Sequence, residues 1–345
     1  MTISRAKLIN PEVTRWYHCI SRCVRRAYLF GEGNEDAAGL NRKAWMEERL
    51  RFLNSLFAVS VAGFAVLDNH LHTLVRMDLA DAKQWSPWEV VRRWLVLFPP
   101  RDRKRLPIEV TPELIESKIQ DSAYVEEIRN RLSSISWFMK CLKEPLARLA
   151  NKADDCKGAF FEGRFKSIAI LDEESLLTVC AYIDLNPVAA GIAEVPEESQ
   201  HTSIKERVDH VASQGRIDDL RVAKRGSVAA IKAACHLEEG LWLIPIEDRR
   251  AIDSKREGML SGFTLGNYLM LLEYTGRIVR AGKVSISPEI LDIFDRIGTT
   301  AQRWQNRVKK MIANRWYGSF IASSRQLLIE TANKLGLHHL ANAGS

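Results

Sequence analysis

The order of elements legible in this sequence predicts an α+β fold and argues against a doubly wound parallel sheet. Three stretches carry that reading. Residues 14–24 (TRWYHCISRCV) are rich in aromatic and β-branched types with partial alternation, the pattern of a strand. Residues 59–67 (VSVAGFAVL) form an apolar run of strand length, and residues 71–76 (LHTLVR) follow across the tight pair Asp68-Asn69, a hairpin-like turn.

The other elements are placed in order around these strands. Residues 39–57 set Trp45, Leu50, Leu53 and Phe57 at helical spacing, so a helix separates the first two strands. Residues 85–131 read as a helical insertion, interrupted at 99–105 by the basic loop PPRDRKR. Residues 135–150 are helical, with a kink expected at Pro145. Residues 165–171 (FKSIAIL) read as a strand. Residues 172–185 read as a helix with Asp172 as N-cap, acidic residues in its first turn and Asn186-Pro187 at its end. Beyond about residue 200 the composition is helical and basic, and no strand there is strong enough to place. A division into 1–200 and 201–345 is expected, and no internal repeat is visible.

Composition narrows the function classes. The 345 residues are 46% hydrophobic and 27% charged, the balance of a globular protein, which excludes a disordered or low-complexity scaffold. The longest apolar stretch, residues 56–67, falls well short of the roughly 20 residues a membrane helix needs. The opening residues have neither an apolar core nor a cleavage site, so no secretory leader is expected. The six cysteines are scattered and form no CxxC pair, as in a reduced, cytoplasmic protein. The net charge of +7 resides in residues 201–345, with 22 basic and 15 acidic side chains, while the first 200 residues balance. Such a bias is compatible with a nucleic-acid partner but does not by itself require one.

Three features could carry chemistry. His70-Leu71-His72 enters a strand, so both imidazoles face one way and Leu71 faces the buried side; two such rings can share a divalent ion. An HxH triplet also arises by chance. Tyr182 and Asn186 lie four residues apart, on one helical face, where a phenol can act as a nucleophile beside an orienting amide. A packed tyrosine with Asn186 as C-cap explains the same pair. Arg164 and Lys166, two apart in FFEGRFKS, suit a phosphate backbone or a solvated charged face.

In combination, HCISRCVRRAYLF (18–30), GFAVLDNHLHTLVR (63–76), GAFFEGRFKSIAIL (158–171) and AYIDLNPVAAGI (181–192) resemble the HUH single-tyrosine transposases, in particular their REP-associated tyrosine transposase branch. That family carries a histidine–hydrophobic–histidine strand preceded by Asn, a strand similar to WQRRFKS, and a helix with YIxxNPVxAG. The resemblance covers roughly residues 10–195. Departures are Asp68 where the family usually has Pro, Phe161-Glu162 where Trp-Gln is common, and Asn186 where compact relatives often have Gln. The 110-residue interval from His72 to Tyr182 is longer than in compact members, through the helical insertion.

The resemblance implies an antiparallel sheet with helices on its faces, of HUH endonuclease type. It implies metal-dependent nicking and strand transfer on single-stranded or hairpin DNA, with Tyr182 as nucleophile and a 5′-phosphotyrosine intermediate. His70 and His72, with Asn186 as third ligand, would hold Mg²⁺ or Mn²⁺. Arg22, Arg25 and Arg26, then Arg164, Lys166 and the loop residues Arg101, Arg103, Lys104 and Arg105, are the DNA-contact candidates. His18 is a candidate for the site or a buried, hydrogen-bonded histidine. The WQNRVKKMIANRWY segment (304–317) reads as DNA contact or as an amphipathic core helix with a basic outer face, and His338-His339 as a frayed tail. The runner-up function is a domesticated hairpin-binding protein without productive cleavage. An unrelated metallohydrolase would need further Asp or His ligands, and only Asp68 is at hand. No membrane partner is expected, and the resemblance leaves monomer and homodimer open.

Overall fold

The computed structural model describes residues 5–27, 29–30, 41–223, 236–250, 256–281, 288–312 and 318–337. The chain divides into two compact units. One comprises residues 1–34, 61–75 and 161–345, the other residues 35–60 and 76–160.

The first unit is built on a five-stranded mixed sheet flanked by helices, in the order β2-β3-β1-β4-β7. The strands are β1 (Trp16–Arg22), β2 (Val59–Val66), β3 (His70–Met77), β4 (Lys166–Ile170) and β7 (Phe320–Ile321). A separate two-strand pair joins β5 (Glu247–Asp248) to β6 (Leu260–Ser261). The α+β class and the four longer strands agree with the sequence reading. β1 runs antiparallel to β4, with His18 opposite Ile168 and Ile20 opposite Lys166. The sheet is nevertheless not wholly antiparallel: β7 adds to β4 in parallel, pairing Phe320 with Ala169 and Ile321 with Ile170. Two residues are too few to show an alternation, so no sequence pattern announces this strand.

One helix, α8 (Glu173–Ala189), carries the tyrosine. Asp172 caps it as expected, its carboxylate accepting the Ser175 N–H at 2.8 Å. The helix does not stop at Asn186-Pro187 but continues to Ala189. Pro187 forfeits one backbone donor, a cost the buried faces of α8 offset through Leu177, Cys180, Ile183 and Leu185, all 1% exposed or less. The actual stop is Gly191, at φ +72°. There the Gly191 N–H reaches the Val188 carbonyl and the Ile192 N–H that of Pro187, a Schellman closure. Asn186 is therefore an interior helix residue and not a cap.

The helices beyond residue 200 include α9 (Ser203–Ser213), α10 (Ile217–Ala223), α11 (Leu265–Ala281), α12 (Pro288–Arg296), α13 (Ala301–Ile312) and α14 (Arg325–Lys334). Among them, α11 and α13 pack on α8. Buried Asp184 of α8 accepts from Ser203 Oγ at 2.6 Å, the Ile204 N–H at 3.0 Å and the Tyr268 hydroxyl at 2.5 Å. In α13, Trp304 is fully buried with its indole N–H on Thr275 Oγ1, and Arg307 is buried against Glu174 while Lys309 and Lys310 face outward. Over these residues the amphipathic core helix describes the segment; residues 313–317 and His338-His339 lie outside the described residues.

The second unit is helical. Asn41 caps α2 (Arg42–Leu56) by accepting from the Lys43 and Ala44 N–H groups, and α2 packs on α7 (Ile135–Ala153). α7 passes through Pro145 without a break. Between β3 and α7 run α3 (Leu79–Gln84), α4 (Pro87–Leu97), α5 (Pro112–Ile119) and α6 (Ser122–Leu132), the expected helical insertion. No described helix is long and apolar enough to cross a membrane.

Candidate active site

Alternation along β3 places Leu71, fully buried, on one face and His70 and His72 on the other. The neighbouring strand β1 sets His18 beside them. His18 and His72 are each 1% exposed, stack with centroids 5.0 Å apart, and bring His18 Nε2 to 2.8 Å from His72 Nδ1. His70 meets His72 edge-on at 4.8 Å. Its own Nδ1 is held at 2.5 Å by Asn69 Oδ1, and Asn69 also donates from Nδ2 to the Arg26 carbonyl and accepts the Cys23 N–H on its backbone. Asn69 thus fastens the end of β1 to the start of β3 while it orients His70.

From α8, Tyr182 stands over these rings, with centroids 5.4 Å from His72 and 6.1 Å from His18. Asn186, one turn on, places its side-chain amide 3.3 Å from His72 Nε2 and hydrogen-bonds the tyrosine phenol. The expected shared face of Tyr182 and Asn186 is the face that meets the imidazoles.

Burial sets the protonation of the cluster. It holds His18 down at about 3, helped by the charges of Lys166 and then His70. It holds His70 down at about 4, with the Arg22 charge adding to the effect and Asp68 opposing it. His72 lies well below its ordinary value through burial, then through His70, His18 and Arg22. All three imidazoles are therefore neutral at pH 7, with lone pairs available. Burial raises the Tyr182 phenol, while the Asn186 hydrogen bond and Arg22 pull it back. Lys166 is lowered by its own burial and then by Arg22. Among the described residues these two cations bear on the rings, so the site combines neutral imidazoles, a phenol and positive charge that could meet a phosphate.

The structure brings together His70, His72, Tyr182, Asn186, Arg22 and Lys166. It places Arg25 and Arg26 in an exposed 3₁₀ turn after β1, both at φ +54°, and Arg164 in an exposed segment ahead of β4. Asn69 stands out in the sequence only as part of a motif. Sequence pattern alone leaves the role of His18 open; its even spacing from Arg22 along one strand face is the available signal. Among the described residues, no group of three or more His, Cys, Asp or Glu side chains gathers to hold a metal.

No family model matches the chain, and no curated protein matches it. One solved structure to which it is similar is a REP-associated tyrosine transposase bound to a REP hairpin. The identity is 13% and the TM-score 0.32, over 56% of this chain and 78% of that one.

Proposed function

We propose that this protein is a metal-dependent DNA nickase and strand transferase of the HUH single-tyrosine kind, acting on single-stranded or hairpin DNA in transposition. The observation that carries the reading is the convergence of Tyr182, Asn186 and the His70–His72 pair on one sheet face beside Arg22 and Lys166. The sequence motifs at 63–76 and 181–192 point the same way.

The residues present fit a divalent ion. His70, engaged through Nδ1, leaves Nε2 to a ligand, and His72, engaged through Nδ1, turns Nε2 to Asn186. An amide flip would present Asn186 Oδ1 there, since O and N are assigned from the hydrogen-bond network. His70, His72 and Asn186 would then hold Mg²⁺ or Mn²⁺, which supplies charge stabilisation at the scissile phosphate when bound. Arg22 and Lys166 bind and orient the phosphate, and α8 holds the Tyr182 oxygen for in-line attack. The phenol loses its proton, its oxygen bonds to phosphorus, and the bond to the 3′-oxygen breaks. The products are a 5′-phosphotyrosine and, once the leaving oxygen takes up a proton, a 3′-hydroxyl. Attack by another 3′-hydroxyl reverses the step and joins strands without a nucleotide cofactor. The location that goes with this activity is cytoplasmic DNA, with the protein as monomer or homodimer.

The test is a denaturing gel of the protein with single-stranded hairpin DNA, in Mn²⁺ and in EDTA. An SDS-resistant adduct that needs Mn²⁺ and vanishes in Tyr182→Phe is the expected result. Tight binding with no adduct would overturn cleavage and leave a hairpin-binding protein.

A further inference from the structure

We infer that the helical unit carries a second nucleic-acid surface, built from the hairpin after α4 and the aromatic strip at its base, and that its ligand is unpaired DNA. This rests on the reading of DNA as the partner, and it takes up the loop cations Arg101, Arg103, Lys104 and Arg105, which the strand-transfer step itself does not use.

The basic loop is an ordered hairpin. Arg101 bridges to Pro107, the Asp102 N–H bonds the Leu106 carbonyl at 2.9 Å, and the Ile108 N–H bonds the Pro100 carbonyl at 2.8 Å. The Asp102 carboxylate accepts the Leu106 N–H at 2.8 Å, so the one acid of the loop is spent on its fold. Residues 101–109 are all exposed, which leaves Arg103, Lys104 and Arg105 displayed at the tip. A loop that served only as solvated punctuation would not need four cations held by five internal hydrogen bonds and a bridge.

The second observation is apolar. Phe98, just before the hairpin, is 42% exposed, and Leu106 and Ile108 within it are 59% and 45% exposed. Phe98 lies 4.6 Å from Trp94, which in turn meets Trp137 at 5.7 Å. Cations border the strip: the Arg131 guanidinium is 4.7 Å from the Trp137 ring, sharing its charge with Glu127, and the Lys140 ammonium is 4.6 Å from the same ring. The exposed Phe98 ring, backed by buried Trp94 and half-buried Trp137 and bordered by cations, suits a strand whose bases stack and whose phosphates pair. A duplex offers the phosphates but hides its base faces, so the apolar half of the surface selects single-stranded DNA. An acidic protein would answer the charge but gives no reason for the ring strip.

The test uses the full chain in EDTA, which prevents cleavage, with a fluorescent oligo-dT strand and a matched duplex read by anisotropy. Charge reversal at Arg103→Glu, Lys104→Glu and Arg105→Glu is expected to lower single-strand affinity at least tenfold. It should also flatten the salt dependence by about 2, at roughly 0.7 for each phosphate that is no longer neutralised. Phe98→Ala is expected to weaken the single strand about fivefold or more and to leave the duplex unchanged. These side chains are exposed, and melting curves matching the parent will show that the fold is retained. Parent-like affinity and salt slope in the charge-reversed protein would overturn the inference, as would a Phe98→Ala effect that is equal on duplex. Unchanged DNA binding with altered self-association would overturn it in favour of a protein interface. If the parent binds no DNA, the proposed function itself falls; if the parent forms its Tyr182 adduct while the variants bind like it, only this inference falls.

Discussion

His18 Nε2 lies 2.8 Å from His72 Nδ1, and this one contact decides which nitrogen of His72 faces Asn186 as a lone pair. Two neutral imidazoles in such contact share a single proton. For His72 to offer Nε2, its Nδ1 must donate to His18, which then carries its own proton on Nδ1, a buried atom without a hydrogen-bond partner among the described residues. His18 is in this sense the positioning residue of His72. His18→Leu is expected to weaken Mn²⁺ binding about ten- to a hundredfold, while His18→Gln, which keeps an acceptor, retains most of it. Titration followed by the Mn²⁺ electron-spin signal reads the difference without any cleavage assay.

Acidification should destabilise the metal-free protein. The folded chain protonates His70 only near 4 and His18 near 3, whereas the unfolded chain does so near 6.5. Between those values the unfolded state binds more protons, so stability rises with pH and falls as pH drops below about 6.5. His70 alone contributes on the order of 3 kcal/mol by pH 4. Urea melts in EDTA between pH 7 and 4.5 should show the effect, and it should be smaller in a His18→Gln, His70→Gln protein.

Arg207, fully buried in α9, pairs with Glu238 and donates to the Ala62 and Ile244 carbonyls at 2.7 and 2.8 Å. Glu238 also accepts the Ile246 N–H at 2.8 Å. Removing one partner leaves a buried charge, so Glu238→Gln or Arg207→Met is expected to cost about 3–5 kcal/mol in urea denaturation. The double variant should cost less than the two single effects added together.

Gly266 marks a close crossing of α11 over the end of α10. A Cβ there would lie 2.7 Å from Ala223 Cβ and 2.8 Å from its carbonyl carbon and oxygen. Backbone cannot swing aside as a side chain can. Gly266→Ala is expected to destabilise by about 1–3 kcal/mol, visible as a lowered Tm, despite the better helix propensity of alanine.

Much of the fold was legible because it rests on short-range periodicity. The alternation around Leu71, the apolar run at 59–67 and the Asp172 cap each sit within a few residues. Pro187 is a strong local stop signal for α8, but burial of the whole helix and a Gly191 closure four residues on overrule it. β7 was invisible because two residues pair only when β4 is already in place. In the candidate site, the pairing of His70 with His72 and of Tyr182 with Asn186 on shared faces is legible through spacing, whereas nothing local weighs Lys166 above Arg164.

By itself the sequence determined which side chains share a face: His70 with His72 by the two-residue period of a strand, and Tyr182 with Asn186 by the turn of a helix. The tertiary structure alone decided that those two faces meet, that His18 from another strand locks His72, and that Arg22 and Lys166 lend their charges. The reason is physical. Dihedral preference and hydrophobic period act along a few residues of chain, whereas the neutral protonation state of three clustered imidazoles comes from burial and long-range charge, which exist only once the sheet and α8 have closed over them.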